Sequence, residues 1–142
     1  MAARYPITRR INMKFRAEAV QPDPVMQFVQ CLLHSVTNAH ILHFQTLSYA
    51  KHMALGGFYE EVGDLVDSFV EAFQGKYGLL TNYKADYELP ASDPVAYLTY
   101  LKDEVEALRR MPKFPQDSEL QNEVDNIANL INSTLYKLRF LA

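Results

Sequence analysis

The chain has 142 residues, 49% hydrophobic and 22% charged, which is enough to bury one core without disulfide or metal staples. A single cysteine, Cys31, excludes an intrachain disulfide and every multi-cysteine zinc site. Lys and Arg number 14 against 17 Asp and Glu, and the resulting net charge of -3 names no partner by its size.

The charge is unevenly placed. Arg4, Arg9, Arg10, Lys14 and Arg16 all precede the first acid, Glu18. This reads as a basic arm over residues 1–24, followed by a helical body over 25–142. The arm suits contact with the phosphates of a nucleic acid, with virion proteins or with an acidic patch on a neighbouring subunit. A solvated arm is the plainer reading, or an extended one docked on the body through the alternating Ile11, Met13 and Phe15. No apolar run is long enough for a membrane span and no charged-then-apolar leader opens the chain. The expectation is a protein of the cytoplasm, with no membrane partner.

After Gln21-Pro22-Asp23-Pro24, which favours a turn and then a helix start, a first helix is predicted over about Val25 to Ala54. Val29, Leu33, Val36, His40, His43, Leu47, Ala50 and Ala54 recur at spacings of three and four, forming one stripe towards a core. The adjacent Gly56 and Gly57 are predicted to make the chain reversal. A second helix follows over about Phe58 to Tyr77, with Phe58, Val62, Leu65, Val66, Phe69, Val70 and Phe73 inward. Residues 81–92, polar and interrupted by Pro90, are predicted as a loop. Asp93-Pro94 supplies an N-cap and a first-position proline for a third helix, with Leu98, Leu101, Val105 and Leu108 on its apolar face. Asp117 or Ser118 caps a fourth, whose apolar face holds Leu120, Val124, Ile127, Ile131, Leu138 and Leu141. The class is all-α: an antiparallel, up-down four-helix bundle with short connections.

The 4 histidines, His34, His40, His43 and His52, fall in the first predicted helix, and the densest run of acids lies in the second. There is no glycine-rich phosphate loop or nucleophile elbow, and nothing marks Cys31 as activated. Metal binding by imidazole and carboxylate is the chemistry these residue types support. Helical angles set Glu60, Asp64, Asp67, Glu71 and Gln74 opposite the core stripe, where a solvated face is the plainer reading. For His40 and His43 the plainer reading is a neutral ring hydrogen-bonded to a neighbour. A fold about Gly56-Gly57 would bring Glu71 to their level, as that acceptor or, with Asp67, as a metal ligand.

The segments from Leu33 to His40, from Gln45 to His52 and from Asp67 to Gly75 resemble the ferritin-like superfamily, and within it the miniferritins, the DNA-binding proteins of starved cells. They are more similar still to small phage-encoded proteins of that shape with no assigned role. His40, His52, Asp67 and Glu71 follow one another at the miniferritin spacings of twelve, fifteen and four. The resemblance implies that they bind iron at a two-fold interface in a homo-oligomer and oxidise it, as a ferroxidase does, for storage in a hollow shell. It also implies DNA binding through the basic extension. The Glu-x-x-His pair of a di-iron site inside one bundle is absent, since no histidine follows His52. With the reversal at Gly56-Gly57, His52 lies on the first helix, about 18 Å from His40. Ligands missing from the acid stripe would then be the partner's His52 or the partner's His34.

A second class of function is a non-catalytic structural or adaptor bundle, such as a phage virion component, whose acid stripe and basic arm are docking surfaces. A host-directed phage inhibitor is a third. For a viral protein the location becomes the host cytoplasm or the phage particle.

Overall fold

The computed structural model describes residues 23–90 and 92–141. Arg4, Arg9, Arg10, Lys14 and Arg16 of the basic arm lie outside the described residues. Among those described, the chain forms four helices and no strand: α1 (Pro24–Gln45), α2 (Tyr49–Tyr77), α3 (Pro94–Leu108) and α4 (Ser118–Phe140). None is long and apolar enough to cross a membrane.

At the start of α1, Asp23 Oδ1 accepts from the backbone N–H of Val25 at 3.0 Å and of Met26 at 3.3 Å. Pro24 occupies a first-turn position that needs no N–H partner. The first helix does not continue to Ala54. It stops at Gln45, where Thr46 turns extended (φ -71°, ψ 143°) and its Oγ1 accepts from the Ser48 N–H at 3.2 Å. Ser48 is extended as well, and its Oγ caps α2 by accepting from the Lys51 N–H at 3.3 Å.

The reversal therefore lies at residues 46–48, and the expected one at Gly56-Gly57 is corrected. Two hydroxyl side chains supply the acceptors needed to stop one helix and start the next. Gly56 and Gly57 are interior to α2. Among the described glycines only Gly78 has a positive φ, 102°, and it ends α2.

The molecule is a helical bundle in which α1 packs on α2 and α3, and α4 packs on the same two. The end of α2 meets the start of α4: Lys76 Nζ lies 2.6 Å from both Asp117 and Glu119, and Tyr77 Oη donates to Asp117 at 2.6 Å. The end of α4 meets the start of α3, where Arg139 donates to Thr99 Oγ1 at 3.2 Å. The start of α3 lies beside the second half of α1, with Asn38 Nδ2 donating to Tyr97 Oη at 3.2 Å.

Because α2 finishes at one end and α3 begins at the other, their connection is no short turn but a strap along α1. Gln30 Nε2 donates to the Lys84 carbonyl at 2.6 Å, and the Lys84 N–H donates back to Gln30 Oε1 at 3.0 Å. Further along, Tyr87 Oη donates to Asn38 Oδ1. The strap explains why Gln30 and Asn38 are buried polar residues on α1: their amides satisfy its backbone and side chains.

The core centres on Phe28, Phe69 and Phe114, each 2% exposed or less, with ring centroids 4.8, 5.2 and 5.8 Å apart. Edge and offset contacts of this kind add about 0.5–1.5 kcal/mol per pair beyond burial. The expected faces of α3 and α4 are buried, apart from Leu141, and on α2 Phe58, Val62, Val66 and Phe69 are buried while Leu65, Val70 and Phe73 pack half-buried against them. On α1 the stripe is rotated: Phe28, Val29, Leu32, Ala39 and Leu42 are buried, whereas Leu33 is 41% exposed, and Leu47, in the turn beyond α1, is 104% exposed.

Two outcomes follow for stability. A Cβ at Gly57 would meet nothing within 4 Å, so Gly57→Ala should stabilise the fold by about 1 kcal/mol in urea unfolding, whereas a reversal at this glycine would make it destabilising. Hydrogen bonds from Lys76 hold the Asp117 and Glu119 carboxyls below their ordinary values. A depressed carboxyl contributes stability above its unfolded pKa and loses it as pH falls through the folded one. Asp117 makes no side-chain cap bond to α4, so Asp117→Asn should lower the urea midpoint at neutral pH through the lost ion pair, and the gap should close as pH falls below the ordinary carboxylate range of about 3.9.

Candidate functional site

The turn at 46–48 brings the last turns of α1 against the first turns of α2, and with them most of the imidazoles. His43 and His52 stack with ring centroids 3.6 Å apart and planes inclined by 22°. His43 Nδ1 lies 2.7 Å from the His52 carbonyl, and His52 Nδ1 lies 2.9 Å from the His43 carbonyl. A carbonyl oxygen can only accept, so both Nδ1 atoms carry the proton. In the neutral rings both Nε2 atoms therefore keep a lone pair for a proton or a metal ion. The two residues clasp the hairpin through reciprocal bonds, each ring tied to the other's backbone.

His40 sits one turn earlier on α1, stacked between Tyr59 at 4.2 Å and Phe44 at 4.6 Å, with His43 at 5.9 Å. Gly56 leaves room for the cluster, since a Cβ there would lie 3.3 Å from His43 Cε1. Inside a helix glycine costs about 1 kcal/mol relative to alanine, so its place here is explained by the ring it accommodates. His34 stands apart, edge-on to Tyr87 of the strap at 5.2 Å.

Asp67 and Glu71 are exposed on α2, beside Glu60 and Asp64, on the face turned from the core. At 1.5 Å per residue they stand about 22 and 28 Å along the helix from His52. Phe69 lies against Phe28, so this part of α2 flanks the first half of α1 and not His40 or His43. The expected meeting of Glu71 with those histidines within one chain is thus corrected, because the reversal comes earlier than Gly56. The acceptor that His43 finds is the His52 carbonyl. Among the described residues no group of three or more His, Cys, Asp or Glu side chains converges as a metal site. His40 and His52 share one end of the hairpin, and Asp67 and Glu71 share a distant face.

Tyr59 and Phe44, the walls around His40, are functional neighbours that the sequence reading did not find. Phe44 is i+4 from His40 on the same helix, a local signal, whereas the meeting of Tyr59 with His40 depends on where the turn falls. Cys31 is not activated: burial, with a smaller contribution from Glu104, pushes its thiol up to about 12, and Sγ donates to the Phe28 carbonyl at 3.2 Å.

Residues 43–138 match DUF5856, a family of unknown function, and the chain belongs to that family. The matched stretch begins at His43 and contains His52, Asp67 and Glu71, while His40 lies just before it. The chain is also 25% identical, over 130 residues, to an uncharacterized 14.6 kDa protein in the mobD-ri intergenic region of Enterobacteria phage T4, covering 89% of this chain and 98% of that protein. No solved structure matches the chain.

The clasp has a spectroscopic signature. At a pH above the ordinary imidazole range of about 6.5, nitrogen NMR should give His43 and His52 a pyrrole-type Nδ1 and a pyridine-type Nε2. In exposed histidines the Nε2–H tautomer normally dominates, and finding it in both rings would contradict the clasp.

Proposed function

We propose that the protein is a ferritin-like, miniferritin-like homo-oligomer that binds iron between subunits, with His40 and His52 of one subunit facing Asp67 and Glu71 of the partner subunit. The observation that carries this reading is the helix break at residues 46–48. It sets His52 on the second helix at the same end as His40, with its Nε2 unengaged by Nδ1–H bonding. The acids lie exposed on the outer face of the same helix, about 22 Å away.

A two-fold axis across α2 would lay two such helices side by side in opposite directions, with each imidazole end against the other's carboxylates. Carboxylate oxygens and imidazole nitrogen form a donor set suited to Fe(II). The antiparallel, ferritin-like arrangement is supported by the helix ends that meet and by the single long connection between α2 and α3, a connection type found in ferritin-like bundles. Oxidation and storage of the bound iron belong to the same proposal.

A second reading, a non-catalytic structural or adaptor bundle of a phage, is favoured by the apolar rim of the hairpin. Phe44, Leu47, Tyr49 and Met53 are exposed there, and their apolar surface suits a protein contact.

Anaerobic Fe(II) titration separates the two. Wild-type protein should bind iron, and both Asp67→Ala/Glu71→Ala and His40→Ala/His52→Ala should not. Dissociating and reassembling an equal mixture of the two variants should restore about one quarter of the sites, because mixed pairs hold one intact site. Equal binding by wild type and the Asp67/Glu71 variant would overturn the iron site, and a mixture that restores nothing would overturn its inter-subunit geometry.

A further inference from the structure

A cleft of about 610 Å³ opens between the first half of α1, the strap and α3, away from the histidine clasp. Asp23, Asp86, Glu88 and Glu104 line it, with Lys84 as the opposing charge and Tyr100 on the α3 wall. Asp86 is engaged by Gln30 Nε2 at 3.2 Å. Among the described residues Glu88 and Glu104 enter no ion pair, whereas Asp117, Glu119, Glu106 and Asp125 all do. Glu104 faces a half-buried wall that includes Cys31, where a carboxylate is screened less than at the open surface. The cleft thus carries an excess of acid over base, with Met26, Leu89 and Leu101 as apolar lining, a chemistry that complements a cationic, partly apolar segment.

The rest of the chain supplies one. Residues 1–22 join the body at Asp23, which lies on the rim of the cleft. They carry Arg4, Arg9, Arg10, Lys14 and Arg16 against the single acid Glu18, with Ile11, Met13 and Phe15 interleaved. From Asp23 to the level of Asn38, at the far end of the cleft, α1 rises about 22 Å. About seven residues are the fewest that can span that distance, and at about 2.4 Å per residue roughly nine span it, so Lys14 can reach the level of Glu88, with Arg16 between it and Glu104. We infer that the basic N-terminal segment of the same chain occupies this cleft, with Lys14 and Arg16 set against Glu88 and Glu104. The tether gives the segment an effective concentration in the millimolar range, so weak ion pairs suffice to seat it. Seated, it covers Cys31 and withholds its charges from other partners. The inference does not depend on the iron reading.

Limited trypsin digestion of the full chain tests it. At low salt, cleavage after Lys14 and Arg16 should be at least about tenfold slower in wild type than in Glu88→Gln/Glu104→Gln, and the rates should converge at about 0.5 M salt, where charges are screened. A second measurement leaves the body unaltered: Lys14→Ala/Arg16→Ala should speed iodoacetamide alkylation of Cys31 severalfold. Equal tryptic rates in wild type and the Glu88/Glu104 variant, or an unchanged Cys31 rate, would overturn the inference. So would protection that fades on dilution, which would seat the segment on a second copy, or protection that requires added duplex DNA.

Discussion

The organisation of the protein depends on the clasp that closes its first hairpin. Thr46 and Ser48 stop one helix and start the next, and the rings of His43 and His52 each donate to the other's backbone carbonyl. These bonds fix the level at which α2 runs back along α1. Every residue beyond is placed by that choice. Phe69 reaches Phe28, Tyr59 reaches His40, and Gly56 passes under His43 with no side chain in the way. Moving the reversal to Gly56-Gly57 would shift the register by about five turns and bury a different set of side chains.

The same constraint separates the functional groups. A hairpin closed at 46–48 collects imidazoles at one end and leaves the carboxylates of α2 exposed far from them. Within one chain the imidazole and carboxylate donors therefore stand in two separate places. The strap, held by Gln30 and Asn38, carries the chain back along α1 so that α3 can begin beside the histidine end of the bundle, and it forms one wall of the acidic cleft.

Much of the fold was legible in the sequence, and the exceptions have physical causes. Asp93-Pro94 announced α3, and Leu120, Val124, Ile127 and Ile131 announced the buried face of α4, because both signals are local and continuous. Gly56-Gly57 misled because a glycine pair permits a turn without requiring one. What glycine provides here is space for a ring distant in sequence. Leu47 fits the three-four repeat and is nonetheless exposed, since the repeat was carried past the helix end at Gln45, and Leu33 is exposed because the buried face of α1 runs through Leu32, Ala39 and Leu42 instead. Gln30 and Asn38 gave no sequence signal, as their partners lie more than forty residues away in the strap. Of the site, the residue types and the separate faces could be read. The stacking of His43 on His52, and their tautomers, could not, because both depend on the true position of the turn.

Backbone amide hydrogen exchange, resolved by residue, tests the position of that turn most directly. The account predicts slow exchange at Gly56 and Gly57, which lie inside α2, and fast exchange at Leu47, Tyr49 and Ala50, whose amides precede the first helical bonds of α2. Fast exchange at the two glycines together with protection through residues 46–50 would contradict it, and would return His52 to the first helix.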